Sequence, residues 1–288
     1  MSLPMRLWYL KDADNASALK ILAAANYLEV ALEVQPLDRT KSSWTNNSED
    51  FRERYDPTGQ YPVLELTDPE ILTAGSPSHP ASNSPRRSAS AAAPLTARRL
   101  ASTLLLNGEA SKSRNIFGAN AILRFVGRSA GDAADALPPD AAAAGSADEK
   151  YIYGRTPFEA SQVDMWISFS ENELDAANGA FIAAHFAHKD KGGLQVTQPE
   201  AEFRKVARVM AALDEVLLIR TFLVGERLTL ADIAIAFSVH LAYRCNKRYS
   251  EELAKRYRHV YRHYNSVMRH PKIKEVMRQA GATLGPLR

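Results

Sequence analysis

Cysteine is almost absent: Cys245 is the single thiol in 288 residues. One cysteine excludes an intramolecular disulfide, and the chain has no second thiol from which to build a structural zinc site. Long apolar runs are missing as well. No stretch approaches the roughly 18 to 20 residues that cross a bilayer, and Met1 to Leu10 lacks the basic-then-apolar profile of a secretory leader. These absences predict a soluble, cytoplasmic protein with no membrane partner, held together by apolar cores rather than by cross-links.

A composition of 45% hydrophobic and 24% charged residues is that of a globular chain. The net charge of +3 is unevenly spread. From His240 to Arg288 there are 12 Lys and Arg against 3 Asp and Glu, a local charge of +9, and the first 239 residues carry −6. A basic end of this kind suits RNA, an acidic partner protein or a solvated helix face.

Two stretches bury too little apolar area to offset their ordering entropy. Residues 74–103 hold 8 Ala, 7 Ser and 4 Pro, and are expected to form an exposed, disordered insertion. In Ser129 to Asp148, 15 of 20 residues are Ala, Gly, Ser or Pro, which predicts a linker over 129–150. The domains so outlined are 1–128 and 151–288.

In the first, Leu7 and Tyr9 mark a short strand, Asp14 or Asn15 caps a helix carrying Leu19, Leu22 and Ala23, and Val30, Leu32 and Val34 alternate as a second strand. Such a β-α-β unit places its two strands parallel in one sheet. The turn-rich segment from Asp56 to Pro62 leads into a third strand, Val63 to Leu66, with Tyr61-Pro62 a candidate cis bond. A fourth strand is expected at Leu104 to Leu106 and a helix at Asn120 to Arg128. Beyond Thr156 only helical periodicity remains, in Val163, Trp166 and Ile167 and again in Phe203, Val206, Val209, Met210 and Leu213. The sharpest local signal there is Leu228-Thr-Leu-Ala-Asp232-Ile233. Thr229 and Asp232 stand at the N-cap and N3 positions of a capping box, with Leu228 and Ile233 as its apolar staple.

An α/β half with a cis-proline loop, followed by a helical half with an internal capping box, resembles the glutathione transferase fold: a thioredoxin-like N-terminal domain and an all-α C-terminal domain. Tyr61-Pro62-Val63-Leu64 is similar to that family's cis-proline loop, and Asn120-Ala-Ile-Leu-Arg124 to the helix after its fourth strand. Gln162-Val-Asp-Met-Trp166-Ile-Ser-Phe169 and the run from Arg220 to Asp232 most resemble the N-terminal module of the translation elongation factor 1 gamma family. That resemblance implies a non-catalytic assembly subunit that docks the nucleotide-exchange subunit of the elongation factor complex, or an aminoacyl-tRNA synthetase. It also implies a second domain beyond a charged linker, whereas this chain stops at Arg288.

Departures from the transferase pattern bear on chemistry. In glutathione-binding members, an acidic or amide residue followed by Ser holds the γ-glutamyl end of the peptide, where this chain has Gly118 and Ala119 just before Asn120. Neither side chain can hydrogen-bond, so charge-assisted recognition loses its two side-chain contributors. The thiol-activating hydroxyl of serine-type members falls at about Ala13, which supplies none. Tyr9 is the remaining weak catalytic candidate, against the plainer reading of a packed strand tyrosine. Tyr61, Pro62, Gly118, Ala119 and Asn120 thus stand as the remnant of a thiol-peptide site, for glutathione or a related thiol. No cofactor is expected otherwise.

The remaining clusters invite bland readings. His185 and His188, like His259 and His263, are spaced to share a helix face, but neither pair has a third metal ligand nearby, so surface or partner-contact histidines are expected and no metal. Arg244, Lys247 and Arg248 would lower the pKa of an exposed Cys245, although a helical cysteine without a redox role is the better expectation. Leu253, Tyr257, Val260, Tyr264 and Val267 form an apolar stripe that should pack inward. Lys255, Arg258, Arg262 and Arg269 are left as a basic docking or RNA face. Tyrosines on a buried stripe favour a structural role over base stacking; tRNA would then bind weakly through phosphate charge, and a docking surface for an acidic protein segment fits equally well. The alternative function is a glutathione S-transferase, and such folds often form homodimers.

Overall fold

The computed structural model describes residues 5–12, 15–37, 52, 56, 59–66, 114–135, 151–190 and 199–286. They fall into two compact units, one of Met1–Leu10 and Ala31–Gly118, the other of Lys11–Val30 and Ala119–Arg288.

The first unit is built on a four-stranded mixed sheet in the order β2-β1-β3-β4. Strand β1 (Met5–Leu10) pairs parallel with β2 (Leu32–Leu37) and antiparallel with β3 (Val63–Leu66), which pairs antiparallel with β4 (Arg114–Phe117). Alternation decides the faces. Met5 and Leu7 are buried, while the intervening Arg6 and Trp8 converge on Glu65: the Arg6 guanidinium bridges Glu33 at 3.1 Å and Glu65 at 3.6 Å, and the Trp8 indole N–H donates to Glu65 at 3.0 Å. Arg6 stands in register with both carboxylates. The fourth strand therefore lies at Arg114–Phe117. The Leu104 to Leu106 run, like the 74–103 insertion, lies outside the described residues.

The second unit is a helical bundle, and it includes helix α1 (Ala16–Tyr27). Asn15 caps α1, its side chain accepting from the Ala18 N–H at 3.1 Å. Leu19, Ala23, Ala24 and Tyr27 join the bundle's own apolar cluster, which explains why this helix groups with the bundle. Helix α2 (Ala119–Asp135) does so as well, through Leu123, and it continues past Arg128 into the stretch expected as linker. Residues 136–150 lie outside the described ones.

Helices α3 (Pro157–Phe169) and α4 (Ala176–Asp190) are joined without a break by a π-helical turn, Ser170–Asp175. Then follow α5 (Pro199–Leu217), α6 (Leu230–Cys245), α7 (Lys247–Arg256), α8 (Arg258–Met268) and α9 (Pro271–Gln279). Every residue of α6 from Leu230 to His240 is buried, so it is the bundle's central helix. A helix apolar all round needs its ends closed, because its orphan N–H groups cannot reach water. The capping box of Thr229 and Asp232 closes it, and Leu228 packs on the apolar cluster that contains Ile233.

Asp232 does more than cap. Its Oδ2 accepts from the Thr229 N–H and hydroxyl, both at 2.8 Å, while Oδ1 accepts from the Leu223 N–H at 2.8 Å and meets His263 Nε2 at 2.9 Å. Asp232 and Thr229 are fully buried, and His263 is 1% exposed. His263 is therefore an interior residue rather than the surface or partner-contact histidine its sequence setting predicts. Removing this carboxylate would leave several buried donors unsatisfied, each at a cost of about 1 to 3 kcal/mol.

Asp232→Ala should accordingly lower the unfolding free energy in urea by about 3 kcal/mol or more. Thr229→Ala should cost about 1 to 2 kcal/mol, the usual worth of a cap. Equal losses in the two variants would show that the His263 and Leu223 contacts contribute nothing.

Candidate functional site

The residues of the thiol-peptide remnant are divided between the two units. In the first, Asp56 is 1% exposed, and its turn closes through a Gly59 N–H bond to the Asp56 carbonyl and a Gln60 N–H bond to its carboxylate, both 2.9 Å. Gly59 has φ +69°, a left-handed conformation that glycine adopts without a Cβ penalty. The turn delivers Tyr61-Pro62, whose peptide bond is cis, to the start of β3. Val63 is in register with Phe117, so Pro62 and Gly118 flank the same end of the β3-β4 ladder. Gly118 has φ +86°, which accounts for a glycine at the strand-to-helix corner on backbone grounds alone.

In the second unit, Ala119 opens α2 and Asn120, 6% exposed, follows it. The Asn120 amide donates to Glu171 of the π-turn at 3.0 Å. The amide thus holds α2 to the π-turn, while Oδ1 is buried without a hydrogen-bond partner among the described residues. Tyr9 is half-buried in β1, and burial pushes its phenol above the usual tyrosine range, the opposite of an activated hydroxyl. Ala13 lies outside the described residues.

A polar cluster that sequence reasoning missed lines the π-turn. Lys20 of α1 is 3% exposed and faces Asp175 at 3.9 Å. Burial drives the Lys20 ammonium below its ordinary range and raises the Asp175 carboxyl, with Lys20 acting against that rise. At this separation the ion pair only partly offsets the desolvation of its members. Ser170 shares a 2.8 Å hydrogen bond with Ser238 of α6, and Asn178 donates to the Ser238 carbonyl at 2.9 Å. One signal was available: Lys20 stands between Leu19 and Ile21 on a helix apolar on most sides, where a buried lysine needs a partner.

The basic segment departs from the expected continuous stripe. Leu253, Tyr257, Val260, Tyr264 and Val267 are all buried, as their spacing predicts. The helix nevertheless breaks at Tyr257, between α7 and α8. The cause is Asp214 of α5. Its Oδ1 accepts from the backbone N–H groups of His259 (2.8 Å) and Val260 (3.0 Å), and its Oδ2 meets His259 Nδ1 at 2.9 Å. A carboxylate from another helix thus caps α8. His259 is paired rather than a free surface imidazole.

The four proposed docking cations separate on inspection. The exposed Arg262 has its guanidinium donating to the carbonyls of Leu217 and Arg220, which closes the C-terminal end of α5. Lys255 pairs with Glu251 at 3.4 Å on the surface. Arg258 and Arg269 are exposed, and among the described residues no carboxylate lies within ion-pair reach of either. His185 is half-buried, and the side chain of His188 lies outside what is described. Among the described residues no group of His, Cys, Asp and Glu is arranged to hold a metal. Cys245 donates to the Leu241 carbonyl at 3.1 Å, and burial pushes its thiol up to about 12, so the nearby cations do not activate it.

Known proteins with similar sequences or folds can now be set beside this geometry. Residues 181–271 match the family model of the glutathione S-transferase C-terminal domain. The chain is 32% identical over 281 residues to elongation factor 1-gamma of Trypanosoma cruzi, a match that takes in 98% of this chain and 51% of that protein. It is 37% identical over 95 residues to human elongation factor 1-gamma, covering 32% of this chain and 21% of that one. The chain thus spans about half the length of the trypanosome relative. Among solved structures, glutathione transferase F2 of Populus trichocarpa superposes with a TM-score of 0.62 at 16% identity, covering 96% of this chain and 99% of that one. This chain has the glutathione transferase-like fold, a small mixed sheet followed by helices, and its sequence is similar to elongation factor 1-gamma along nearly its whole length.

With its thiol near 12, Cys245 should react with iodoacetamide at pH 8 at least about a hundredfold more slowly in the folded protein than in urea, since thiolate is the reactive species. Labelling followed by intact mass spectrometry reads this directly, and equal rates in the two states would contradict the burial.

Proposed function

We propose that this chain is a non-catalytic assembly subunit of the translation elongation factor 1 complex, acting in the cytoplasm without a cofactor. It docks the nucleotide-exchange subunit or an aminoacyl-tRNA synthetase. The observation that carries this reading is the 32% identity to trypanosome elongation factor 1-gamma, which extends over 98% of the chain. The residues where a transferase does its chemistry support it. Gly118 and Ala119 bring no polar side chain to the start of α2, the Asn120 amide is committed to Glu171, and Tyr9 carries a phenol that burial makes harder to ionise. Among the described residues no helix is long and apolar enough to cross a membrane.

A second reading, a glutathione or related-thiol S-transferase, rests on the cis Tyr61-Pro62 bond before β3 and on the transferase-like fold. In that reading the Tyr61 backbone holds the cysteinyl part of the peptide, and the N–H groups opening α2 replace the missing side chains.

Two measurements separate these functions. Mixed with the exchange subunit of its own complex, the purified chain should sediment as a stoichiometric heteromer, and sedimentation of the chain alone will show whether it dimerises. Titrated with glutathione to millimolar concentration, it should release no heat. Saturable heat that Pro62→Ala abolishes, together with turnover of a conjugation substrate, would establish the transferase instead.

A further inference from the structure

The end of the second unit holds a groove of about 390 Å³ that the sequence analysis did not anticipate. Its walls come from three places: Ala254 and Lys255 on α7, Tyr264, Met268 and Arg269 on α8 and its C-cap, and the segment from Leu284 to Pro286 beyond α9. That last segment is fastened by its backbone, since the Gly285 N–H donates to the Tyr264 hydroxyl at 2.9 Å. The same hydroxyl lies 2.9 Å from His240 Nδ1 of the central helix α6. Tyr264 is 1% exposed, and burial pushes its phenol up to about 12, so its hydroxyl keeps its proton at physiological pH. The groove is thus walled by a strap tied to the bundle core, and its shape is present before any ligand arrives.

Its chemistry is apolar at the floor and cationic at the rim. The half-buried Ala254 and Leu284 supply the apolar surface, with Met268 buried behind them. Arg269 stands at the rim with no carboxylate in ion-pair reach among the described residues, and Lys255 stands there paired only with Glu251. An adjoining depression shares Glu251 and Lys255 and adds Arg248, Glu252 and Arg256. The two hollows together hold four cations, Arg248, Lys255, Arg256 and Arg269, against the two carboxylates Glu251 and Glu252. They lie in a segment whose local charge is +9.

We propose that this groove is a docking site for an acidic peptide segment of a partner protein, one that places bulky apolar side chains on Ala254 and Leu284 and carboxylates on Arg269 and Lys255. The proposal rests on the assembly function above and gives that function a place and a recognition chemistry. Charge complementarity selects the sign of the partner, and the apolar floor gives the contact an energy that salt does not screen. Nucleic acid fits less well. Its bases need open aromatic faces, but Tyr264 and Tyr257 are 1% and 6% exposed, and the Arg256 and Arg248 guanidiniums already lie over the Tyr257 and Tyr249 rings.

The test uses the full chain and two variants at the groove, Arg269→Glu at the exposed rim and Ala254→Trp to fill the floor. Thermal unfolding comes first, and if Ala254→Trp does not fold, Arg269→Glu alone decides. The exchange subunit is the first probe. Assembly by wild type that weakens about tenfold or more in folded Arg269→Glu supports the groove. Assembly unaffected by either variant overturns the groove and leaves the assembly function standing. If wild type itself does not assemble, that function fails, and the groove is judged on a short fluorescein-labelled peptide of Glu, Asp, Leu and Phe. Saturable anisotropy that persists at raised salt and is lost in Arg269→Glu supports the site. No binding overturns it. So does equal binding of a peptide carrying Lys in place of Glu and Asp, or stronger retention of tRNA with a steep salt dependence.

Discussion

The bundle depends on a single buried carboxylate. Asp232 accepts from the backbone of the preceding loop at Leu223, from both donors of its cap residue Thr229, and from His263 on a helix 31 positions away. Each of those donors would otherwise be a polar group without water in an apolar interior, so the carboxylate satisfies the loop, the helix start and α8 at once. The central helix can then be apolar on all sides. What reads along the chain as a local capping box is, in three dimensions, the joint at which three segments of the bundle are held in register.

What was legible in the sequence was short-range. Strand β3 at Val63–Leu66, the Asn15 cap of α1, the capping box of α6 and the buried stripe from Leu253 to Val267 all depend on residues within a few positions of one another. Periodicity and cap spacing record exactly such relations, whatever the tertiary surroundings. The break at Tyr257 was not legible, because the carboxylate that caps α8 comes from Asp214, 45 residues earlier, while the apolar spacing runs through the break undisturbed. The bonds of Arg262 were illegible for the same reason: its outward position on the stripe is as expected, but the carbonyls it holds lie at and just beyond the end of α5. Strand β4, Arg-Asn-Ile-Phe, is too short and too polar to stand out from the residues around it. The more apolar Leu104 to Leu106 run drew the expectation instead.

The site residues show the same division. The lack of polar side chains at Gly118 and Ala119 could be read from the chain alone. The reason for a glycine there, a left-handed φ at the corner into α2, needed the backbone. The commitment of Asn120 to the π-turn and the burial of Lys20 against Asp175 arise from packing of α1 and α2 on that turn, which no local pattern announces. The Asn120 amide ties α2 to the π-turn, while its Oδ1 stays buried without a hydrogen-bond partner among the described residues.

The π-helical turn itself fixes a length. Helices α3 and α4 read as one rod, but Ser170–Asp175 carries the extra residue that a wider turn accommodates. Deleting one residue there would let ordinary helical bonding run unbroken from Pro157 to Asp190, and it would also rotate every later side chain by about 100° around the axis. Phe181, now packed between Phe203 and Tyr249, would swing off the core, and Asn178 would leave the Ser238 carbonyl. A more regular helix would thus make a worse bundle. In this part of the chain residue number is constrained more tightly than residue identity, and an alignment gap placed there would mark a different packing of α4 rather than a trimmed loop.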